Sequence, residues 1–359
     1  MALDDDRCRH LGRTLRLAAL ALLLHGCTGF GPAAVGRDRI DYAQAVARSA
    51  QREMLLNIVK LRFGEPPTLS SVSQIVAGYT IEGRVDVGTN LLRPGYWLGD
   101  DVSVGVGGTF SDRPTITYNP VRGSDYARML LTPLPPYELI AMLTSGAPAD
   151  ATLRLAVKSL NGVPIGRKPG DGTPPDPRSI ETLELLEMLR ARGILGTEFE
   201  TSGGERHVSL LVNETDGRLD PDARKLIERF RLDPSRRKFR IVFGFHRNRP
   251  DEISIYTRSL VEILNAVADE IQVPLDLVHG GQTYATRGPA YPAEVSVRIR
   301  SHATRPDDAF VTVDYGGVWY SIDNGDFASK RTFGLLMLLA AVMETAGHSP
   351  LPVITIPSG

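Results

Sequence analysis

FVTVDYGGVWYSIDNGDFASKRTFGLLMLLAAVMETAG, residues 310–347, decides the fold class. Its first half reads as a hairpin that turns at Gly316-Gly317. Its second half reads as a helix that is apolar on nearly all sides from Phe333 to Met343. A bilayer span needs about 20 apolar residues, so this helix is too short to cross one and is expected to lie buried against a sheet. Ser329 is expected as its N-cap. Hairpins interleaved with helices specify an α+β fold rather than a parallel α/β one.

The same mixture continues upstream. KFRIVFGF (238–245) and EVSVRIRS (294–301) read as strands, EISIYTRSLVEILNAVADEI (252–271) carries a helix after Tyr256, and PVITIP (352–357) reads as a last strand. SIETLELLEMLRARGIL (179–195) is an amphipathic helix, and TEFETSGGERHVSLLVNE (197–214) is a hairpin turning at Gly203-Gly204. VPIGRKPGDGTPPDP (163–177) is dense in Gly and Pro and reads as a long loop or a domain boundary. Residues 124–160 read as helices in pieces. Pro136 begins one of them, and Asn161-Gly162 stops ADATLRLAVKSLNG. Residues 68–119 are β-rich: Ile81, Val85 and Val87 alternate with Glu82, Arg84 and Asp86, and Val102, Val104, Val106 and Phe110 alternate with Ser103, Gly105, Gly107 and Thr109. Residues 39–62 read as a helix closed by Gly64 and Pro66-Pro67. The expected divisions are 1–26, 27–38, 39–162, 163–178 and 179–359.

The first residues give an address. Arg7, Arg9, Arg13 and Arg16 precede an apolar run from Leu17 to Leu24, the pattern of a secretory signal peptide. Leu24, His25 and Gly26 then lead into Cys27. This resembles the lipobox of bacterial lipoproteins, with His25 at a place where a small or aliphatic residue is commoner. The resemblance implies acylation of Cys27, removal of residues 1–26 and a bilayer as partner through the acyl chains. Cys8 leaves with the signal, so Cys27 is the sole cysteine of the mature chain, and acylation would cap an otherwise exposed thiol. Thr28 in place of aspartate implies the outer membrane, with the body in the periplasm. Residues 27–38 are expected to form a short lipidated tether. NIVKLRFGEPP (57–67), FSDRPTITYNP (110–120) and SKRTFGLLMLL (329–339) are similar to segments of a group of proteobacterial lipoproteins with no established activity. That likeness supports the address and carries no catalytic residue.

Charge and motifs narrow the function. The mature chain has 37 basic and 39 acidic residues, which excludes a polyanion binder by overall charge, and no nucleic acid partner is expected. The charge is nonetheless segregated. Residues 181–220 carry a net −5, and residues 224–249 a net +8 that includes Arg236, Arg237, Lys238 and Arg240. Those four are candidates for an anionic lipid or wall-polymer surface, unless the two blocks neutralise each other across one fold. The histidines show no metal-ligand spacing, and no metal or other cofactor is expected. No G-x-S-x-G elbow, S-x-x-K pair, dinucleotide loop or Walker loop is present. Asp314, Asp323 and Asp326 flank a hairpin that carries Trp319, which makes them candidates for a glycan site. Cross-strand aromatic pairing and an Asp-Asn-Gly turn account for the same residues.

Three functions follow as expectations. The first is a non-enzymatic envelope lipoprotein that docks a protein partner. The second is a glycan hydrolase or peptidoglycan binder. The third is a subunit of an oligomeric pore, in which the strands 80–88 and 102–110 join a shared barrel.

Overall fold

The computed structural model describes residues 32–76, 79–90, 101–112, 115–165, 176–214, 216–247, 249–286 and 297–346, with side chains described outside 32–39, 70–120 and 345–346. The expected signal, the expected lipobox with Cys27 and the strand expected at 352–357 lie outside the described residues. The fold is α+β, built from helices with antiparallel and mixed sheets. The chain divides within its first helix, α1 (Pro32–Arg62): one compact unit ends at Leu55, and the other runs from Leu56. The architecture below is that of the second unit.

Helix α1 starts seven residues before the expected boundary, inside the segment read as a tether. Pro32 is preorganised for a first helical position, and Ala33 and Ala34 are strong helix formers. From Pro32 on, the chain therefore advances about 1.5 Å per residue instead of about 3.4 Å.

After α1 come strands β1 (Ser70–Val76), β2 (Tyr79–Asn90), β3 (Asp101–Asp112) and β4 (Thr115–Pro120). They form two two-stranded antiparallel sheets, β1–β4 and β2–β3. The helices α2 (Gly123–Leu131), α3 (Pro136–Thr144) and α4 (Ala149–Ala156) follow, with Pro136 in the first turn of α3 as expected. Strands β5 (Val157–Leu160) and β6 (Val163–Pro164) come next, then α5 (Pro177–Ala191), β7 (Leu195–Ser202), β8 (Glu205–Val212) and α6 (Pro221–Arg229). The chain continues through β9 (Lys238–Phe243), β10 (Glu252–Thr257), α7 (Leu260–Ala268), α8 (Leu275–His279), β11 (Arg300–His302), β12 (Ala309–Tyr315), β13 (Val318–Asp323) and α9 (Phe327–Ala346).

The six-stranded sheet has the order β6-β5-β10-β9-β8-β7. Its β9–β10 pair is parallel, and its other pairs are antiparallel. Strands from both sides of the Gly/Pro-rich segment 163–177 share this sheet, so one sheet crosses the boundary expected there.

The helix expected to run through ADATLRLAVKSLNG stops at Ala156, and VKSL is strand β5. Two partners enforce the switch. Arg258, buried, donates from Nη1 to the carbonyls of Arg154 and Leu155 (3.2 Å each), which cap the last turn of α4. Its backbone N–H bonds Ala156 O at 2.7 Å, and β5 then pairs with β10. Asn161 and Gly162, at φ of 45° and 78°, form the tight turn to β6 instead of a helix stop. Asn161 Oδ1 also accepts from Ser254 N at 2.6 Å, which ties the turn to β10.

A three-stranded antiparallel sheet, β11-β13-β12, forms the second part of the core. The hairpin at Gly316-Gly317 is as expected, with φ of 61° and 79°. Tyr320 and Ile322 of β13 are fully buried, as are Phe333, Leu336 and Leu339 of α9. Phe310 and Phe333 meet edge-on at 6.3 Å. Leu338 is 49% exposed, so α9 is buried along one side and not all round. Among the described residues no helix is long and apolar enough to cross a membrane. Of the strand expected over 294–301, residues 294–296 lie outside the described residues, Val297 to Ile299 are not in a strand, and the strand begins at Arg300.

Arg62 closes the first helix inside this core. It is 1% exposed. Its guanidinium donates to Asp269 O (3.1 Å), Ala268 O (3.4 Å) and Tyr284 O (2.8 Å), and lies 3.8 Å above the Tyr284 ring. Thr283 Oγ1 returns a bond to Arg62 O at 2.8 Å. Arg62→Leu is expected to cost about 3–5 kcal/mol, because it leaves buried carbonyls without a donor. Arg62→Lys should recover only part, since one ammonium cannot reproduce the fork. Urea unfolding of the three proteins measures both.

Candidate functional site

The candidate site is the ribbon built by β1 to β4, together with its root. β2 and β3 are each twelve residues long and pair without interruption from Tyr79↔Asp112 to Asn90↔Asp101. At about 3.3 Å per residue each arm is about 40 Å long. The β1–β4 pairing ends at Val76↔Thr115, in step with Tyr79↔Asp112. No third strand pairs with either two-stranded sheet among the described residues. Among the described residues both edges are therefore without a strand partner, an arrangement that is marginal for a hairpin alone in water.

Register sets the rows. Ile81↔Phe110, Val85↔Val106 and Val87↔Val104 are directly opposed, and opposed residues share a face. Glu82↔Thr109, Arg84↔Gly107, Asp86↔Gly105 and Gly88↔Ser103 occupy the alternate rows. The backbone pairing thus puts the aliphatic positions of both arms on one face, interrupted by the Gly83↔Gly108 pair, and Glu82, Arg84 and Asp86 with their small or polar partners on the other.

The root is clamped to the body. Asn57 Nδ2 donates to Thr68 O (2.7 Å), and Thr68 N donates back to Asn57 Oδ1 (2.8 Å). Tyr126 Oη donates to Pro67 O (2.5 Å), and Val121 N bonds Leu69 O (3.0 Å), which joins the outgoing arm to the returning one. Tyr315 Oη donates to Glu65 Oε1 (2.7 Å), and the Phe63 ring lies 4.9 Å from that of Tyr315. Burial, then this bond, pushes the Tyr315 hydroxyl up to about 12, so it stays a donor at neutral pH. Sequence reasoning missed Asn57, Arg62 and Tyr126. The available signal was a polar residue, Asn57, set among Met54, Leu55, Ile58 and Val59.

Of the glycan candidates, Asp323 and Asp326 share one turn, Asp326 N donating to Asp323 O at 3.2 Å, whereas Asp314 stands apart. Asp314 is opposite Trp319 at the turn end of the hairpin, and Asp323 is opposite Ala309 at the far end. The four steps along the strand from Trp319 to Asp323 span about 13 Å. Paired glycosidase carboxylates stand about 5–10 Å apart. Asp323 Oδ1 accepts from Gly325 N (2.7 Å), as the Asp-Asn-Gly turn requires. Trp319 is half-buried, with the Arg305 guanidinium 5.7 Å from its ring centre. Asp326, not Ser329, caps α9: its carboxylate accepts from Ser329 N (3.1 Å) and Ser329 Oγ (2.8 Å) and pairs with Arg298 (3.2 Å). Ser329 lies one turn inside the helix, and its Oγ accepts from Arg298 N.

The charged blocks face one another. Arg229 pairs with Glu181 (2.6 Å), Arg237 with Glu214 (2.9 Å), and Lys238 with Glu198 (2.9 Å) and Glu200 (2.6 Å). Arg192 of the acidic block pairs with Asp220 and Asp222. Arg236 lies 3.4 Å from Asp251 and 3.6 Å from Asp233. Arg240 meets His207 Nδ1 at 2.9 Å. Three of the four anionic-surface candidates are thus matched with carboxylates. The Lys238 ammonium bonded to Glu200 holds that carboxyl below its ordinary value. Among the described residues no cluster of three His, Cys, Asp or Glu is placed to hold a metal ion.

Burial raises the Asp326 carboxyl, but the bonds from Ser329 and the Arg298 charge outweigh it and hold the group below its ordinary 3.8. A depressed carboxylate contributes stability above its unfolded value and loses it as pH falls through the folded one. Asp326→Asn is therefore expected to cost about 1–2 kcal/mol at neutral pH, with the difference fading below pH 3.8. Urea midpoints of both proteins across that range measure it.

Comparison of the chain with protein-family models, curated proteins and solved structures finds no match, so the functional reading rests on this chain's own residues.

Proposed function

We propose that this protein is a lipid-anchored envelope subunit that assembles into a ring, with each copy donating its β-ribbon to a shared transmembrane barrel. The observation that carries this reading is the twelve-residue β2–β3 pair with both edges unpaired by any described strand and its aliphatic rows on one face. A membrane strand needs about 9–11 residues. Within a bilayer a sheet edge is tolerated only when it is paired, and pairing β2 of one copy with β3 of the next removes both edges. Each copy brings two strands, and the smallest membrane barrels have about eight, so about four copies or more close the ring. Ile81, Val85, Val87, Val104 and Val106 would face lipid, with Glu82, Arg84 and Asp86 toward the lumen.

The lipobox supports the location. Acyl chains on Cys27 would hold each subunit at the outer membrane, and about 0.8 kcal/mol per buried methylene makes two or three chains a lasting anchor. The clamp at Asn57, Tyr126 and Tyr315 would fix the ribbon to the body and pass the body's orientation to the barrel wall.

Native mass spectrometry of the protein extracted in mild detergent tests the assembly. The expected particle is a ring of identical chains that begin at Cys27 and carry lipid mass. A complex with one different protein would favour an accessory subunit whose ribbon edge extends a partner's sheet. A lipid-free monomer would overturn both. Two substitutions test the faces. Val104→Arg places a charge on the lipid face, where it costs about 2–4 kcal/mol at the midplane, and should abolish ring and conductance. Ser103→Lys lies on the lumenal face and should keep the ring while shifting bilayer conductance toward anions. Equal tolerance of the two would refute the barrel.

A further inference from the structure

A cavity of about 320 Å³ lies between the six-stranded sheet and helices α3, α4 and α5. Ile140 and Leu153 form its helical wall, and Leu160, Ile241, Ile253 and Ile255 its sheet wall; all six are buried. The volume falls in the range of small-molecule pockets, about 300–1,000 Å³. Left empty, an apolar void costs stability in proportion to its volume. Water is a poor filler, because each molecule needs two to four polar partners. The Thr144 hydroxyl of the lining is already committed to the carbonyls of Ile140 and Ala141 (3.0 and 2.9 Å).

Charge is confined to the rim. Glu187 and Arg190, one turn apart on α5, are exposed, and Asp150 on α4 is half-buried. Arg154 pairs with Asp150 at 2.7 Å and neutralises it. Arg190 is the one cation of the lining and has no ion pair among the described residues. The wall therefore suits a long apolar body without polar groups, and the rim offers the Arg190 guanidinium, with the Glu187 carboxylate one turn away, to a single charged end.

We propose that this cavity binds one fatty acid, its aliphatic chain between the sheet and α3, α4 and α5 and its carboxylate at the rim on Arg190. The assignment is independent of the barrel, since every lining residue belongs to the body.

Isothermal titration of the delipidated full chain with dodecanoate, 1-dodecanol and dodecylamine tests it. Dodecanoate should bind saturably at a single site, with a negative heat-capacity change from apolar burial. Leu153→Trp, which fills the cavity from α4, should weaken it by about tenfold or more. Arg190→Gln should weaken dodecanoate by about tenfold and leave 1-dodecanol unchanged. Arg190 is exposed, so this contrast survives even if Leu153→Trp does not fold. Absence of saturable binding, tighter binding of dodecylamine than of dodecanoate, or equal effects of Arg190→Gln on acid and alcohol would each overturn the proposal.

Discussion

The guanidinium of Arg62 is a full charge placed 1% exposed in the protein interior, with three backbone carbonyls and one aromatic face as its neighbours. Burying a charge is costly unless its donors are satisfied. Here the carbonyls come from the end of α7 and from residue 284, far along the chain, so the helix end and that distant segment must be in place together. Arg62 Nε finds no partner among the described residues, so the satisfaction is incomplete. That cost is tolerable because the site fixes where α1 ends. Everything that follows, from Phe63 to the first strand of the ribbon, starts from that fixed point.

Fixing the start matters because the ribbon has little of its own to hold it. A two-stranded ribbon is marginal by itself, and among the described residues no third strand pairs with this one. Its orientation is therefore set at the root, by the Asn57–Thr68 clasp and the Tyr126 and Tyr315 hydroxyls, rather than along its length. Such a clamp matches a segment whose final partners lie outside the single chain. The body, by contrast, closes on itself. Its acidic and basic blocks meet across the sheet and between helices, in pairs such as Lys238 with Glu198 and Arg229 with Glu181. Solvent-exposed pairs of this kind contribute little stability each.

Much of the fold was legible in the sequence. Period-two alternation marked the β2 and β3 arms, and paired glycines marked the turns at 203–204 and 316–317, because only residues at ease with positive φ fit those turns. The apolar run of α9 announced a buried helix, though one side of it is exposed at Leu338. Some local readings failed because a partner elsewhere in the chain decided the outcome, and one because a competing neighbour did. ADATLRLAVKSL has helical character throughout, yet Arg258 and β10, about a hundred residues away, end the helix at Ala156. Ser329 has the preferences of an N-cap, but Asp326 three residues earlier takes the role because its carboxylate reaches both the Ser329 amide and its hydroxyl. The acids at 314–326 looked clustered in sequence. The strand geometry draws Asp314 away from Asp323 and Asp326, because a hairpin places residues near its turn and near its ends at opposite limits of the sheet.

By itself the sequence determined the α+β class, the position of most strands and helices, and the alternation of the ribbon, since these follow from hydrophobic period and backbone preference within short windows. It also carried a stretch, Leu24 to Cys27, that resembles a lipobox, which is a local signal by nature. The tertiary structure alone decided which charges neutralise one another, that strands from both sides of residues 163–177 share a single sheet, that a cavity opens beneath α3, α4 and α5, and that Arg62 and Asn57 hold the root of the ribbon. Each of these depends on residues tens to hundreds of positions apart meeting within a few ångströms, and no pattern within a local window encodes such a meeting.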